Sequence, residues 1–169
     1  LVTYAKKLVY GNVDIDGLYG PTETVLIADD NANPIYCAAD MIAQAEHDPM
    51  ASPILVTTRS GLIAEVKAEL DKQLVDLERS NIIETSLVNR GRLVLVNTLH
   101  EAIELANFIA PEHLCLLVDK PWDLIKMVKN AGGVFVGDYS PEVVGDYIAG
   151  PSHVMPTGGS ARFFSALGV

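Results

Sequence analysis

Five short apolar runs, separated by stretches of helical spacing, leave this chain few architectures. The runs are Thr24–Asp29, Ile54–Thr58, Arg92–Val96, Leu114–Val118 and Gly133–Gly137. Each has strand length and is apolar without alternation, the texture of a strand buried on both faces. Between the first two, Asn33-Pro34 supplies a cap and a first-turn proline. Ile35, Ala38, Met41, Ile42 and Ala45 then recur at helical spacing to about His47. Ser60 is expected to cap a long helix with Ile63, Val66, Leu70, Leu74 and Leu77 on one stripe. Thr98 caps another through about Phe108, and Pro121–Asn130 reads as a third. Residues 2–9 read as the tail of a helix stopped at Gly11. Strands alternating with helices predict an α/β fold: a Rossmann-like, mostly parallel sheet with helices on both faces. Beyond Gly137, Gly, Pro and Ser at short intervals predict a loop-rich C-terminal segment. Ligands of such sheets gather outside the carboxyl ends of the strands. Neither Gly-x-Gly-x-x-Gly nor a P-loop is present, so these residues announce no dinucleotide site.

At 169 residues the expectation is one domain, 1–169. Hydrophobic residues make up 49% and charged residues 20%, enough to bury a core. The net charge of −10 argues against binding a phosphate backbone, which takes clustered Lys and Arg, and against docking on anionic lipid. No apolar run approaches the ~18 residues of a membrane span. The chain opens on Leu1 without the layout of a signal peptide. Cys37 and Cys115 lie in apolar company and read as buried free thiols in a reducing compartment. Residues 1–50 carry eight carboxylates against Lys6 and Lys7, which reads as a solvated face or the lining of a cation site.

The groups that carry chemistry sit at breaks in this pattern. Gln44 and His47 are i and i+3, so they share a helix face. An amide oxygen and a neutral imidazole suit a borderline cation such as zinc, although a polar helix end reads the same way. Glu112-His113 puts a carboxylate beside an imidazole, a pair suited to acid/base work, at the amino end of a strand. From Val144 to Gly159 a Gly- and Pro-rich segment holds Asp146, a hard oxygen donor, and His153, a ligand or an anion-facing donor. Thr22, in Gly20-Pro-Thr-Glu23, offers a hydroxyl. His100 is placed on the surface, and Trp122 is read as a packing anchor. Together these groups suggest metal-assisted chemistry on a small polar substrate, without naming a reaction.

Taken in order, four stretches resemble the histidinol dehydrogenase family. They are Gly20-Pro-Thr-Glu-Thr-Val-Leu-Ile-Ala-Asp29, Ala43-Gln-Ala-Glu-His47, Ala110-Pro-Glu-His-Leu114 and Gly145-Asp-Tyr-Ile-Ala-Gly-Pro-Ser-His-Val-Met-Pro-Thr157. The resemblance covers essentially the whole chain. It implies a zinc-dependent, NAD-linked oxidation of L-histidinol through L-histidinal to L-histidine. Gln44, His47 and Asp146 match zinc ligands, and a further histidine ligand comes from the partner subunit, beyond Val169. Glu112 and His113 match the acid/base pair: His113 takes the alcohol proton and Glu112 activates water. Thr22, Gln44, His47, His113, Asp146 and His153 match substrate contacts. Ser is more usual than Thr at position 22, and the hydroxyl is kept. His153 matches a histidine facing the substrate carboxylate.

Family members are much longer, so the resemblance implies a truncated domain, with most NAD contacts upstream and the partner-site residues downstream. Cofactor-binding residues are therefore not assignable in this chain. The isolated chain is expected to turn over poorly or not at all. The intact enzyme is expected to be a homodimer, cytoplasmic or, in a plant, in an organelle stroma. Two other readings stay open: a zinc-dependent hydrolase or lyase on the same ligands, and a non-catalytic module for binding histidine-like ligands or for dimerisation.

Overall fold

The computed structural model describes residues 1–166. Five parallel strands form one sheet: β1 (Glu23–Ala28), β2 (Ser52–Thr57), β3 (Arg92–Leu95), β4 (His113–Leu117) and β5 (Gly133–Val136). Their order is β3-β2-β1-β4-β5, so the chain builds outward from β1 on one side and then crosses back to lay β4 on the other. In register, Thr24 lies beside Pro53 on one side of β1 and beside His113 on the other. This is the α/β, doubly covered sheet that the apolar runs predict.

Residues alternate between two cores, as a strand's period of two requires. Leu26, Ala28, Leu55, Cys115 and Leu117 face α2 (Pro34–Glu46), α3 (Ser60–Gln73) and α4 (Ser80–Asn89). Val25, Ile27, Val56, Leu114 and Leu116 face α5 (Leu99–Ile109) and α6 (Pro121–Ile125). A large apolar side chain fully removed from water contributes roughly 1.5–3 kcal/mol. Cys37 and Cys115 are buried free thiols, as expected.

Capping follows the sequence at two helices. The Asn33 side chain accepts from Ile35 N with Pro34 in the first turn, and Thr98 accepts from Glu101 N. Helix α1 (Val2–Val9) ends before Gly11, whose φ of +99° suits the residue that lacks a Cβ.

Several expectations are corrected. Arg59, not Ser60, is the N-cap of α3, and no side chain caps that helix. Its buried face is Leu62, Val66 and Leu70, so Leu62 takes the inward place expected of Ile63. The helix also stops at Gln73; a tight turn over Leu74–Asp76 breaks it, and the separate α4 follows. The expected helix over Pro121–Asn130 ends at Ile125. Beyond it, the Asn107 side chain takes over the backbone: its Oδ1 accepts from Lys129 N (2.7 Å) and Asn130 N (3.2 Å), and its Nδ2 donates to Met127 O. These groups would otherwise have sought helical partners. Trp122 is 67% exposed and anchors nothing in the core. No helix of the described residues is long and apolar enough to cross a membrane.

Candidate active site at the amino edge of the sheet

Thr22, Gln44, Glu112 and His113 meet at the amino ends of β1 and β4, opposite to the edge where such sheets usually bind ligands. The topology explains this. Helix α2 runs antiparallel to the strands, so its C-terminal Gln44 and His47 return to the edge where Thr22 enters β1 and Glu112 enters β4. Pro111 and Glu112 are turned into place by Ala110, the C-cap of α5, which holds the left-handed conformation (φ 53°, ψ 59°). That conformation is unfavourable for a residue with a Cβ. Backbone bonds then pin the pair: Gly132 N donates to Pro111 O (2.9 Å) and Gly133 N to Glu112 O (2.8 Å).

Glu112 and His113 are both buried, 8% and 6% exposed. Burial pushes the Glu112 carboxyl up to about 7, against the lowering effect of the Thr22 hydroxyl. Burial also pushes His113 down to about 4, while the charge of Asp146 works in the opposite direction. At neutral pH the His113 imidazole is therefore uncharged, and the Glu112 carboxyl titrates near neutrality. The His113 ring leans on Phe135, with centroids 5.7 Å apart.

Thr22 Oγ1 lies 2.6 Å from Glu112 Oε2 and 2.5 Å from the Gln44 amide. The Gln44 amide is fixed by its surroundings. Its carbonyl accepts from Glu23 N (3.2 Å) and Thr22 Oγ1, and its Nε2 donates to Thr24 Oγ1 (2.8 Å) and Glu142 Oε2 (2.9 Å). The opposite orientation would set an N–H against the Glu23 N–H. A hydroxyl has one proton to give. When Glu112 is protonated it donates to Thr22, which donates on to Gln44; when Glu112 ionises, Thr22 turns its proton back to it.

His47 and Asp146 line one cleft of about 170 Å³ together with Glu46, Arg79, Val143 and Tyr147. His47 is the C-cap of α2, and Asp146 stands in a five-residue π-type turn, Gly145–Ala149. Gln44 is fully buried and stands outside the lining of this cleft. An amide oxygen, an imidazole and a carboxylate are a donor set suited to zinc. Two share a cleft and the third is one helical turn away. Among the described residues, no group of three His, Cys, Asp or Glu is placed to hold a metal without the amide. His153 is exposed and stands outside the cleft lining, so the structure does not bring it to the other candidates. His100 is on the surface, 3.5 Å from Glu104. The loop that carries Asp146 is tied back to the entry of β1, where Thr157 Oγ1 accepts from Gly20 N (2.6 Å) and Gly158 N donates to Glu23 Oε2 (3.3 Å).

Glu142 is the residue that sequence reasoning missed. It opens a single-turn helix, α7 (Glu142–Val144), after Ser140-Pro141, a dipeptide that reads only as a turn. The residue is 6% exposed and sits under the site, and burial pushes its carboxyl up to about 8. No pattern in the sequence marks a lone Glu in a loop as buried.

The chain matches the family model described as histidinol dehydrogenase over residues 1–169. It is 52% identical over 168 residues to the histidinol dehydrogenase of Aquifex aeolicus and 54% identical over 168 residues to that of Caldanaerobacter subterraneus, covering 99% of this chain and 39% of each relative. A crystal structure of histidinol dehydrogenase from Elizabethkingia anophelis superposes with a TM-score of 0.94 at 36% identity, over 98% of this chain and 38% of that one. The chain thus spans about two fifths of the length of these relatives.

Proposed function

The chain belongs to the histidinol dehydrogenase family, and from that membership we propose that the protein carrying it oxidises L-histidinol through L-histidinal to L-histidine. In this reading Gln44, His47 and Asp146 would hold a zinc ion, which would supply a template and Lewis acid for the substrate's nitrogen groups, and NAD would supply the hydride acceptor. The observation that carries it is the pairing of two buried acid/base groups tuned in opposite directions beside the His47–Asp146 cleft.

Neutral His113 accepts the hydroxyl proton as the carbon–hydrogen bond is given up as hydride. Glu112, its carboxyl pushed up to about 7 by burial, takes in its ionised form a proton from the water that adds to the aldehyde; the hydrate anion so formed gives up the second hydride and is left as the acid, which ionises. Thr22 steadies whichever form Glu112 holds and lies where a substrate contact is expected. His153 is assigned to the carboxylate that the second oxidation forms, which requires its exposed loop to close over the bound molecule. Cytoplasmic location and a homodimer in which the partner completes the site belong to the same proposal.

The test is made in a full-length family member carrying this segment. NADH formation from histidinol should fall at least a hundredfold in Glu112→Gln and in His113→Asn, with the fold retained, as expected for acid/base groups whose contribution is roughly 10²–10⁴-fold. Wild-type rates in both variants would overturn the proposal.

A further inference from the structure

The geometry points to Glu142 as the positioning residue that sets which atom of the Gln44 amide is turned to Thr22, the side on which we place the metal. This inference rests on the proposed reading of Gln44 as a zinc ligand and adds the residue that makes it one.

Glu142 is a buried hub. Its Oε1 accepts from Thr24 Oγ1 (2.5 Å) and Cys115 Sγ (3.4 Å); its Oε2 lies 2.9 Å from Gln44 Nε2 and 3.4 Å from His113 Nδ1. It thus touches both the proposed base and the proposed amide ligand from below. An amide is nearly symmetric in shape and differs only in polarity. A metal takes its oxygen and not its nitrogen, so a Gln ligand works only if its surroundings reject the flipped form. Two groups do so here. The Glu23 N–H, which also reaches Glu112 Oε2 at 3.4 Å, favours the carbonyl on the Thr22 side, and Glu142 Oε2 faces Nε2 on the inner side at 2.9 Å. Thr24 alone does not discriminate, because its hydroxyl can give or accept.

The prediction is one of polarity. Glu142→Gln keeps the volume but can set an NH2 against Gln44 Nε2, which favours the flipped amide and turns its nitrogen outward. Gln44→Glu in the same molecule removes the conflict, because a carboxylate presents oxygen both to the new amide at position 142 and to the metal side. The experiment measures zinc affinity by competition with a chelator, and the kcat and KM for histidinol, in a full-length family member carrying this segment. Circular dichroism serves as the check on folding.

Glu142→Gln should lose at least about tenfold in zinc affinity while remaining folded, the scale on which groups behind a metal ligand act. The exchange Glu142→Gln with Gln44→Glu should recover most of that loss. A Glu142→Gln protein that binds zinc like wild type, or an exchange that recovers nothing, overturns the inference. If Glu142→Gln fails to fold and the exchange folds and binds zinc, the polarity argument is supported; if neither folds, Glu142 is a structural group and the inference is overturned. A wild-type protein that takes up no zinc overturns the proposed function and this inference with it, whereas zinc uptake indifferent to Glu142 removes this inference alone.

Discussion

Thr22 Oγ1 stands 2.6 Å from Glu112 Oε2, so a hydroxyl at the entry of one strand reaches a carboxyl at the entry of its neighbour, ninety residues later in the chain. The same oxygen meets the Gln44 amide at 2.5 Å. It therefore joins the proposed acid/base group to the proposed metal ligand.

Thr22→Val replaces that hydroxyl with a methyl group of similar shape. Glu112 and the Gln44 carbonyl each lose a partner in a mostly buried place, at a cost of about 1–3 kcal/mol for the groups left unsatisfied. The Glu112 carboxyl should rise further, because the Thr22 bond is the main influence holding it down against burial. The expected result is a lower thermal midpoint and a rate profile displaced to higher pH. Thr22→Ser should keep both near wild type. A profile unchanged in Thr22→Val would show that the hydroxyl does not communicate with Glu112.

Folding stability should carry the mark of Glu112 across pH 4.5 to 7. Its folded value of about 7 lies above the ordinary 4.5, so the native state binds more protons than the unfolded one in that window. Stability is then fully present below pH 4.5 and is lost as pH rises through 7, on the order of 3 kcal/mol for this group. Glu142, raised to about 8, extends the loss upward. His113 has the opposite sign: with its value lowered to about 4, stability is lost as pH falls from 6.5 toward 4. Glu112→Gln should unfold at nearly the same temperature as wild type around pH 5 and at a higher temperature around pH 8. Equal midpoints at both pH values would contradict the raised carboxyl.

Gly132 lies against the main chain of the site. A Cβ there would stand 2.6 Å from the Glu112 carbonyl oxygen and 3.1 Å from Met155 Cβ, and backbone cannot yield as a side-chain tip can. Gly132→Ala should displace the start of β4 and lower kcat for histidinol at least about tenfold in a full-length relative carrying the segment, since small misplacements of acid/base groups are costly. Gly61→Ala meets nothing closer than a Glu65 carboxylate oxygen at 3.8 Å and serves as the silent control.

Ala110 tests the turn that aims Glu112. Because it holds a positive φ of 53°, Ala110→Val should destabilise the chain by about 2 kcal/mol or more, since a β-branched side chain resists that conformation. Ala110→Gly relieves the strain but gives up a buried methyl group, and should change the thermal midpoint little. A harmless Ala110→Val would mean that the turn is not left-handed.

The strands are legible because their signal is local: each is a short apolar run, and the run and the strand agree to within about two residues, the usual scatter of element ends. The helices following Asn33 and Thr98 are legible for the same reason, through their caps. The stretch from Leu74 to Asn89 is not. Leu74 and Leu77 continue a helical spacing across the break, and nothing local announces that the chain turns there before α4 begins. The early end of α6 depends on Asn107, far back in the chain, taking backbone partners that no local reading assigns. At the site, Gln44, His47, Glu112 and His113 stand out by chemistry. Their convergence at the amino edge follows from strand order and from α2 running antiparallel, which are properties of the whole sheet. Glu142 has no mark at all; its role comes from burial beneath Thr24 and Gln44.

If Gln44, His47 and Asp146 grip one zinc ion beside Glu112 and His113, metal content must follow those three side chains. The most direct measurement is zinc per active site in a full-length family member carrying this segment, for wild type and for Gln44→Ala, His47→Ala and Asp146→Ala after dialysis against a weak chelator. The expected result is a single zinc in the wild type and its loss in His47→Ala and Asp146→Ala, with binding weakened at least about tenfold in Gln44→Ala. Full zinc retention in all three variants would contradict the proposed centre.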